Sequence, residues 1–564
     1  MRTVSACDLL SSGHAVVADP APVRVRRRPW VGALSVGLVA VAGAVFTLDG
    51  RGYYGDDFAL RAMDLEHGWL GAYGHYAREW GLFRPLGVLD ILAWHHGLWR
   101  WPVAQQALMV TLHAVMCLLF YRFVLKLTGD PAVAVVSGAV FAAWHACTDV
   151  VAWPSHGAEM LPAGIFFLGS LLLYLRHLRT VAPAGTQPFL LTAVLLFAVS
   201  VLFHDQHLGA AAMFSALAVL SRSPGGRVRR VVWTWPFWAV SALIGGVSVM
   251  TTAGTVRPLE PGLDNVIGGL IGVAETFWHT TLWQSAGQWV HRSGAVAMLQ
   301  RQWTEDPQRL GLATLGVLVG CVLIACFRTR PHPTGTWRGM AKLTALGLVL
   351  AAVSMMLMAA AANPALLPRH TMWPGMGLAM VIGGVVGFLR ARSLHHLATA
   401  AAVLLVFGLS MTRLGHVYEW NVRTGVMNGV LRSLARVEPA PADEQLIVIE
   451  GVRQYGRGFT AAWGLTNAYR VASGTSARIT TLVRRENDGY VANAEGDIAW
   501  PVDPATTRFF LWDEHTERLI PSNLDAYLSR QSKSEPRAQA SGFRIPALAL
   551  GARIRFYCRL KCSM

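Results

Sequence analysis

Charge is scarce in this sequence: only 15% of its 564 residues are Asp, Glu, Lys or Arg, while 53% are hydrophobic. That composition excludes a soluble enzyme of this length and indicates a membrane protein. Acids are the rarer sign, 33 against 49 basic residues, for a formal net charge of +16. Cysteine is sparse, at seven. Four of these, Cys117, Cys147, Cys321 and Cys326, lie in or at the ends of apolar runs. Cys558 and Cys562 in "YCRLKC" could bridge if that region is extracytoplasmic, or remain thiols; without partners their spacing is no zinc motif. Long apolar runs are missing after residue 412, and so is any tandem repeat of about 34 residues.

Apolar runs occur near 31–48, 103–121, 132–148, 158–175, 187–203, 207–221, 231–252, 310–327, 343–362, 371–389 and 397–412. Against the length needed to cross a bilayer, this predicts a mainly α, polytopic membrane helix bundle of about eleven spans. The basic residues settle into alternate loops, at Arg24/Arg26/Arg27/Arg28, Arg122/Lys126, Arg176/Arg179, Arg222/Arg227/Arg229/Arg230, Arg328/Arg330/Arg338/Lys342 and Arg390/Arg392. Such alternation reports topology, with the N-terminus cytoplasmic, and removes nucleic acid as an expected partner. Four arginines before the first run also fit a cleaved signal peptide, but the run from Val31 to Leu48 is longer than the usual apolar core of one, so an uncleaved anchor is expected. The predicted organisation is a cytoplasmic tail over 1–30, a transmembrane catalytic unit over 31–412 with long outer loops at 49–102 and 253–309, and an extracytoplasmic α+β domain over 413–564.

The loop after the first run opens with "GYYGDDFALR", which sets Asp56 beside Asp57. Adjacent carboxylates raise each other's cost of ionising, so the pair needs a reason. Farther along, "FRPLGVLDILAWHHGLW" reads as a helix at the membrane surface or re-entering it, with Pro85 in its first turn. The second long loop contains "ETFWHTTLWQSAGQWVHR", whose Phe277, Trp278, Leu282, Trp289 and Val290 form a rough helical stripe; an interfacial helix and ordinary packing both fit it. After residue 412, "DEQLIVIEGV" and "TRFFLWDEHTERLI" have the character of strands, while "NLDAYLSRQSKS" suits a helix or a linker. That region carries no nucleophile, metal or phosphate motif.

Five pieces in order resemble the membrane half of the glycosyltransferase-C superfamily, nearest to protein O-mannosyltransferase-like enzymes, including those with tetratricopeptide repeats. They are "GDDFALR", "FRPLGVLDILAWHHGLW", "LHAVMCLLFYRFV", "FAAWHACTDVVAWPSHGAEMLPAGIFFLGSLLLYLR" and "PRHTMWPGMGLAM". The resemblance covers roughly residues 31 to 412. It departs from the family at "FHDQHLG", where Asp205 and Gln206 stand for the usual Lys-Glu pair, and at His370, where Tyr is usual.

The resemblance implies a membrane glycosyltransferase that takes a hexosyl or pentosyl group from a polyprenyl-phosphate lipid and gives it to an extracytoplasmic protein, lipid or glycan. Such a transfer needs a base for the acceptor hydroxyl and cations for the departing phosphate. Asp56 is the candidate base and Asp57 its support; Asp caps helices just as often, and that reading stays open. Arg84 and Arg369 are the candidates for the phosphate, since a guanidinium offers a bidentate fork, although arginines near helix ends also snorkel. His145, Asp149, Trp153, His156, Asp205 and His370 are candidates for the sugar or acceptor, the histidines serving equally as helix caps. No cofactor is expected, and a divalent metal is disfavoured because adjacent acids space ligands poorly. Expected partners are the donor lipid, membrane lipids and the acceptor. The composition is compatible with a bacterial plasma (inner) membrane. A polysaccharide polymerase or ligase is the alternative, as is a transporter or lipid flippase, which would need charges in mid-span.

Overall fold

The computed structural model describes residues 29–49, 53–80, 84–179, 187–221, 226–252, 295–326, 336–359, 371–452, 464–475, 477–480, 483–486, 489–493, 499–513 and 515–530. The stripe at 277–290, Arg369, His370, Cys558 and Cys562 fall outside them.

The chain begins with α1 (Pro29–Ala42), which continues through a 3-10 turn at Val45–Asp49. Next come α2 (Asp56–Trp80), α3 (Pro85–Leu98), α4 (Pro102–Thr128), α5 (Pro131–Ala142), α6 (Cys147–Ala152), α7 (Pro154–Arg179) and α8 (Gln187–Phe203). Proline opens α3, α4, α5 and α7, the position where its missing N–H costs nothing and its fixed φ suits a helix. Asp130 then caps α5, accepting from the Ala132 N–H at 2.9 Å. As expected, a helix with Pro85 in its first turn lies between the first two apolar runs.

Among the described residues six helices are long and apolar enough to cross a membrane: α4, α7, the helical stretch Arg227–Thr251, Pro307–Cys326, Met372–Ala391 and His395–Leu434. Within α1, α5 and α8 lie three shorter apolar stretches, Trp30–Ala42, Pro131–Ala142 and Pro188–Phe203. The expected count of eleven is therefore not reproduced among the described residues. Two of the apolar runs are not single helices along their length, and the run 343–362 lies partly outside the described residues. Residues 132–148 form a helix only to Ala142, about 18 Å at 1.5 Å per residue, and 207–221 divide between a 3-10 turn, Asp205–Ala210, and a ten-residue helix, Ala211–Leu220. Hydropathy registers apolar character and not where a backbone turns.

The core is closed by small residues. In α7, a Cβ on Gly157 would fall 2.3 Å from the Met109 sulfur and 2.6 Å from the Val150 carbonyl oxygen, so only glycine lets α4 and α6 approach this turn. Inside the bundle, Arg413 is fully buried. Its Nη1 donates to the carbonyl oxygens of Ala40 and Ala142 and lies 3.1 Å from His113 Nε2. Those carbonyls belong to the last turns of α1 and α5, where helices leave acceptors unpaired and the macrodipole favours a cation.

The helix His395–Leu434 is 40 residues long, so the boundary expected near Arg413 falls inside a continuous helix. Beyond it the α+β character appears. A four-stranded sheet has the order β2 (Arg478–Thr480), β1 (Leu446–Glu450), β6 (Arg508–Asp513), β7 (Arg518–Ser522). β1 runs parallel to both neighbours, and β6 and β7 form a hairpin pairing Phe509 with Ser522. The "LIVI" of β1 is wholly buried, as a central strand covered on both faces requires. Three antiparallel strands, β3 (Val483–Glu486), β4 (Gly489–Asn493) and β5 (Ala499–Pro501), make a second sheet. Both expected strand segments are strands, and residues 524–530 are helical.

This layer shares one apolar core with the segment that follows α1. Tyr53, Tyr54, Phe58, Trp153 and Trp420 pack with Ile447, Ile449, Leu465, Tyr469 and Trp512.

The charge alternation gives a direct check on topology. In a chain whose seven cysteines are changed to serine, His396→Cys and Thr475→Cys should react with a membrane-impermeant thiol reagent from opposite sides of the membrane. Reaction from the same side would rule out the proposed orientation.

Candidate functional site

The adjacent acids part company at the start of α2. Successive residues of a helix point about 100° apart, and the pair uses this: Asp57 is wholly buried, while the Asp56 side chain is 44% exposed. Asp57 accepts from the Tyr54 N–H at 2.9 Å and from the Ser155 N–H at 2.9 Å, and His95 Nε2 lies 3.2 Å away. Ser155 is in the first turn of α7, so Asp57 satisfies an N–H that the helix itself leaves unpaired. Asp57 thus caps α7 as well as its own loop. Tyr53 completes this anchor, stacking on Trp99 at 3.7 Å between centroids and donating to the Trp99 carbonyl at 2.8 Å.

Around Asp56 gathers a network of charged and titratable groups drawn from three more elements. Arg84, the residue before α3, donates from Nη1 to both oxygens of Glu159 at 2.9 and 3.0 Å and from Nε to Asp205 at 3.0 Å. Glu159, on α7, accepts from His156 across 3.1 Å. The other ring nitrogen of His156 faces Asp56 at 3.8 Å. His204, after α8, lies 3.4 Å from Asp205 and 3.8 Å from Glu159. Burial works against the Arg84 charge, but Asp205 and then Glu159 more than offset it and raise its pKa. Burial, followed by the Arg84 cation, pushes the His204 imidazole down to about 4, so it is neutral near pH 7.

Of the residues expected from sequence, Asp56, Arg84, His156 and Asp205 come together here. Asp57 lies directly beneath. His145, Asp149 and Trp153 turn toward the helix His395–Leu434 instead: Asp149 accepts from Trp420 Nε1 at 2.9 Å, and the His145 ring is 6.1 Å from that of His416. Trp153 is fully buried, donates to the Tyr54 carbonyl at 3.1 Å and meets His156 edge-on at 4.3 Å. It therefore presents no face for stacking a sugar and acts as a wall. Glu159 and His204 were not expected in the site. Glu159 had a usable signal, an acid near the start of α7 where an apolar run begins; His204 had none beyond its place beside Asp205. Among the described residues no group of three His, Cys, Asp or Glu side chains is placed to hold a metal ion.

No family model matches this chain, and no curated protein does. Among solved structures it is similar to the crystal structure of ArnT from Cupriavidus metallidurans bound to undecaprenyl phosphate, at 13% identity over 80% of this chain and 86% of that one, with a TM-score of 0.36. It is also similar to the archaeal oligosaccharyltransferase AglB from Archaeoglobus fulgidus in complex with an inhibitory peptide and a dolichol-phosphate, at 12% identity over 78% and 63% of the respective chains, with a TM-score of 0.35. Likenesses this distant leave the roles of residues to the geometry above.

The loop bearing Asp56 is also held from the C-terminal side. Gly464 has φ +79°, and a Cβ there would fall 2.7 Å from the Gly55 Cα. Gly474 has φ +78° but nothing near its absent Cβ. Alanine at Gly474 should therefore cost only the left-handed strain, about 1–3 kcal/mol. Alanine at Gly464 should lower the unfolding midpoint further, because the backbone of Gly55 must also move. Equal midpoints for the two variants would show that the contact has no weight.

His204 gives a pH signature. Unfolded, it takes a proton near the ordinary histidine value of about 6.5; folded, only near 4. Between these values the unfolded chain binds more protons, so the His204 contribution falls as pH drops through the window, by on the order of 3 kcal/mol in all. His204→Asn should lose less stability than the wild type between pH 6.5 and 4. Parallel stability curves for the two proteins would refute the assignment.

Proposed function

We propose that this chain is a membrane glycosyltransferase that moves a sugar from a polyprenyl-phosphate donor to an extracytoplasmic hydroxyl on protein, lipid or glycan. The observation that carries the reading is Asp56: a half-exposed carboxylate fixed by its buried neighbour at one end of an apolar bundle, beside a guanidinium, two imidazoles and two further carboxylates. A donor with its phosphate at the interface and its tail in the bilayer brings its reacting carbon to such a place. A permeation path would instead place its charges in mid-span, whereas these acids lie at helix ends, in first turns and in the turns between helices.

In this reading Asp56 takes the proton of the acceptor hydroxyl while the acceptor oxygen bonds the sugar carbon and the phosphate departs. The phosphate is assigned to Arg369 and Arg84, with His370 beside the former. At Arg84 two carboxylates already occupy the guanidinium. A phosphate arriving there would displace Asp205, which takes one hydrogen bond from Arg84 and is 32% exposed, while bidentate Glu159, 4% exposed, stays in place. The sheet layer behind Gly464 is assigned to bracing the site and to holding the acceptor.

The two acids should separate cleanly under mutation, with membranes supplied with labelled polyprenyl-phosphate sugars. Asp56→Asn should lower turnover per folded molecule by about 100- to 10,000-fold, the contribution of a general base, with donor binding retained. Asp57→Asn should act chiefly on stability, costing about 1–3 kcal/mol, because one amide oxygen cannot serve both backbone N–H groups; the protein that folds should keep measurable activity. Wild-type turnover in Asp56→Asn would end the reading.

A further inference from the structure

The first turns of α7 place His156 and Glu159 three residues apart on one face, so that the carboxylate orients the ring. Glu159 receives both hydrogen bonds from Arg84 Nη1 and is therefore an ionised, acceptor-only group. It follows that the His156 Nδ1, 3.1 Å from Glu159 Oε1, carries the hydrogen. Nε2 is then the basic nitrogen of the ring, and it is the nitrogen turned toward Asp56 Oδ2 at 3.8 Å. The edge of Trp153 against the ring, at 4.3 Å, fixes its plane.

We propose that His156 is a positioning residue for the transfer, holding Asp56 as a carboxylate by accepting the proton that Asp56 removes. This rests on the glycosyl-transfer reading above. The step balances as follows. The acceptor O–H breaks and its electron pair forms the bond to the sugar carbon; the bond from that carbon to the phosphate oxygen breaks and its pair leaves on phosphate. The proton goes to Asp56 and then to His156 Nε2, directly once the 3.8 Å gap closes or through one water, and finally to solvent. In model peptides an imidazole is a stronger base than a carboxylate by about 2–3 pK units.

The groups facing His156 favour the cation. Glu159 from α7 and Asp56 from α2 flank its two nitrogens. Arg84, before α3, opposes it, but that charge is shared by Glu159 and Asp205. His204, after α8, is neutral near pH 7 and adds no repulsion.

His156→Asn keeps an amide N–H for Glu159 and removes the basic nitrogen. With a labelled polyprenyl-phosphate sugar as donor, the wild-type pH–rate profile should show an acid limb in the imidazole range, about pH 6–7. In His156→Asn turnover at neutral pH should fall about 100-fold, the lower end for proton-transfer groups, and the acid limb should move toward the carboxylate range while donor affinity is unchanged. An unmoved acid limb would overturn the proposal, whatever the loss of rate. A second measurement needs no substrate: in full-length protein with ring-labelled histidine, the His156 resonance, assigned by its absence from His156→Asn, should titrate at lower pH in Asp56→Asn than in the wild type. Identical midpoints would overturn the coupling alone; a shifted midpoint with no transfer from any polyprenyl-phosphate sugar would instead defeat the functional reading and, with it, this role.

Discussion

A buried carboxylate needs hydrogen-bond donors, and Asp57 takes them from two parts of the chain, the Tyr54 N–H and the Ser155 N–H, with His95 Nε2 packed against it at 3.2 Å. Those contacts tie the segment after α1, the end of α3 and the start of α7 into one knot. Everything at the candidate site hangs from it. Asp56 projects outward because Asp57 projects inward, and α7 delivers His156 and Glu159 at a fixed height because its first turn is pinned at Ser155. The pairing of two acids, costly in isolation, becomes intelligible once one anchors the backbone from which the other works.

Arg413 makes a comparable tie deeper in the bundle. By drawing in the carbonyls of Ala40 and Ala142, it fixes the ends of α1 and α5, from which the two site-bearing segments depart. Trp420 and Asn421 extend the same clamp along one helix, to Asp149 and to the Phe46 carbonyl at 2.9 Å each. The site is thus set by long-range polar contacts between helix ends, while the apolar faces supply the packing on which those contacts stand.

Much of this was legible in the sequence. Apolar runs announced a membrane bundle, Pro85 marked a helix start, and the β-branched "LIVIE" marked a strand. The span count was not reproduced among the described residues, and apolar stretches that bend, at Ala142 and Ala210, show one reason: a hydropathy window averages over a turn. Within the site, Asp56, Arg84, His156 and Asp205 could be named beforehand, because the ordered pieces of the resemblance fall on the first three and its departure at "FHDQHLG" falls on the last. Their convergence could not, because Arg84 meets Glu159 across 75 residues and Asp205 across 121, separations that only packing determines. Trp153 was ambiguous for a related reason: an aromatic beside a histidine suits a sugar platform and an interior wall equally, and in the structure it is buried.

The unbroken helix His395–Leu434 spans about 60 Å at 1.5 Å per residue, joining the apolar bundle to the sheet layer without a joint. A loop there would allow the layer to swing as a lid; a helix does not. Met427, Val430 and Leu434 along its last turns are buried in the same core as Tyr54 and Trp512. The layer is therefore held to the bundle at two places, through this helix and through the core it shares with the segment after α1.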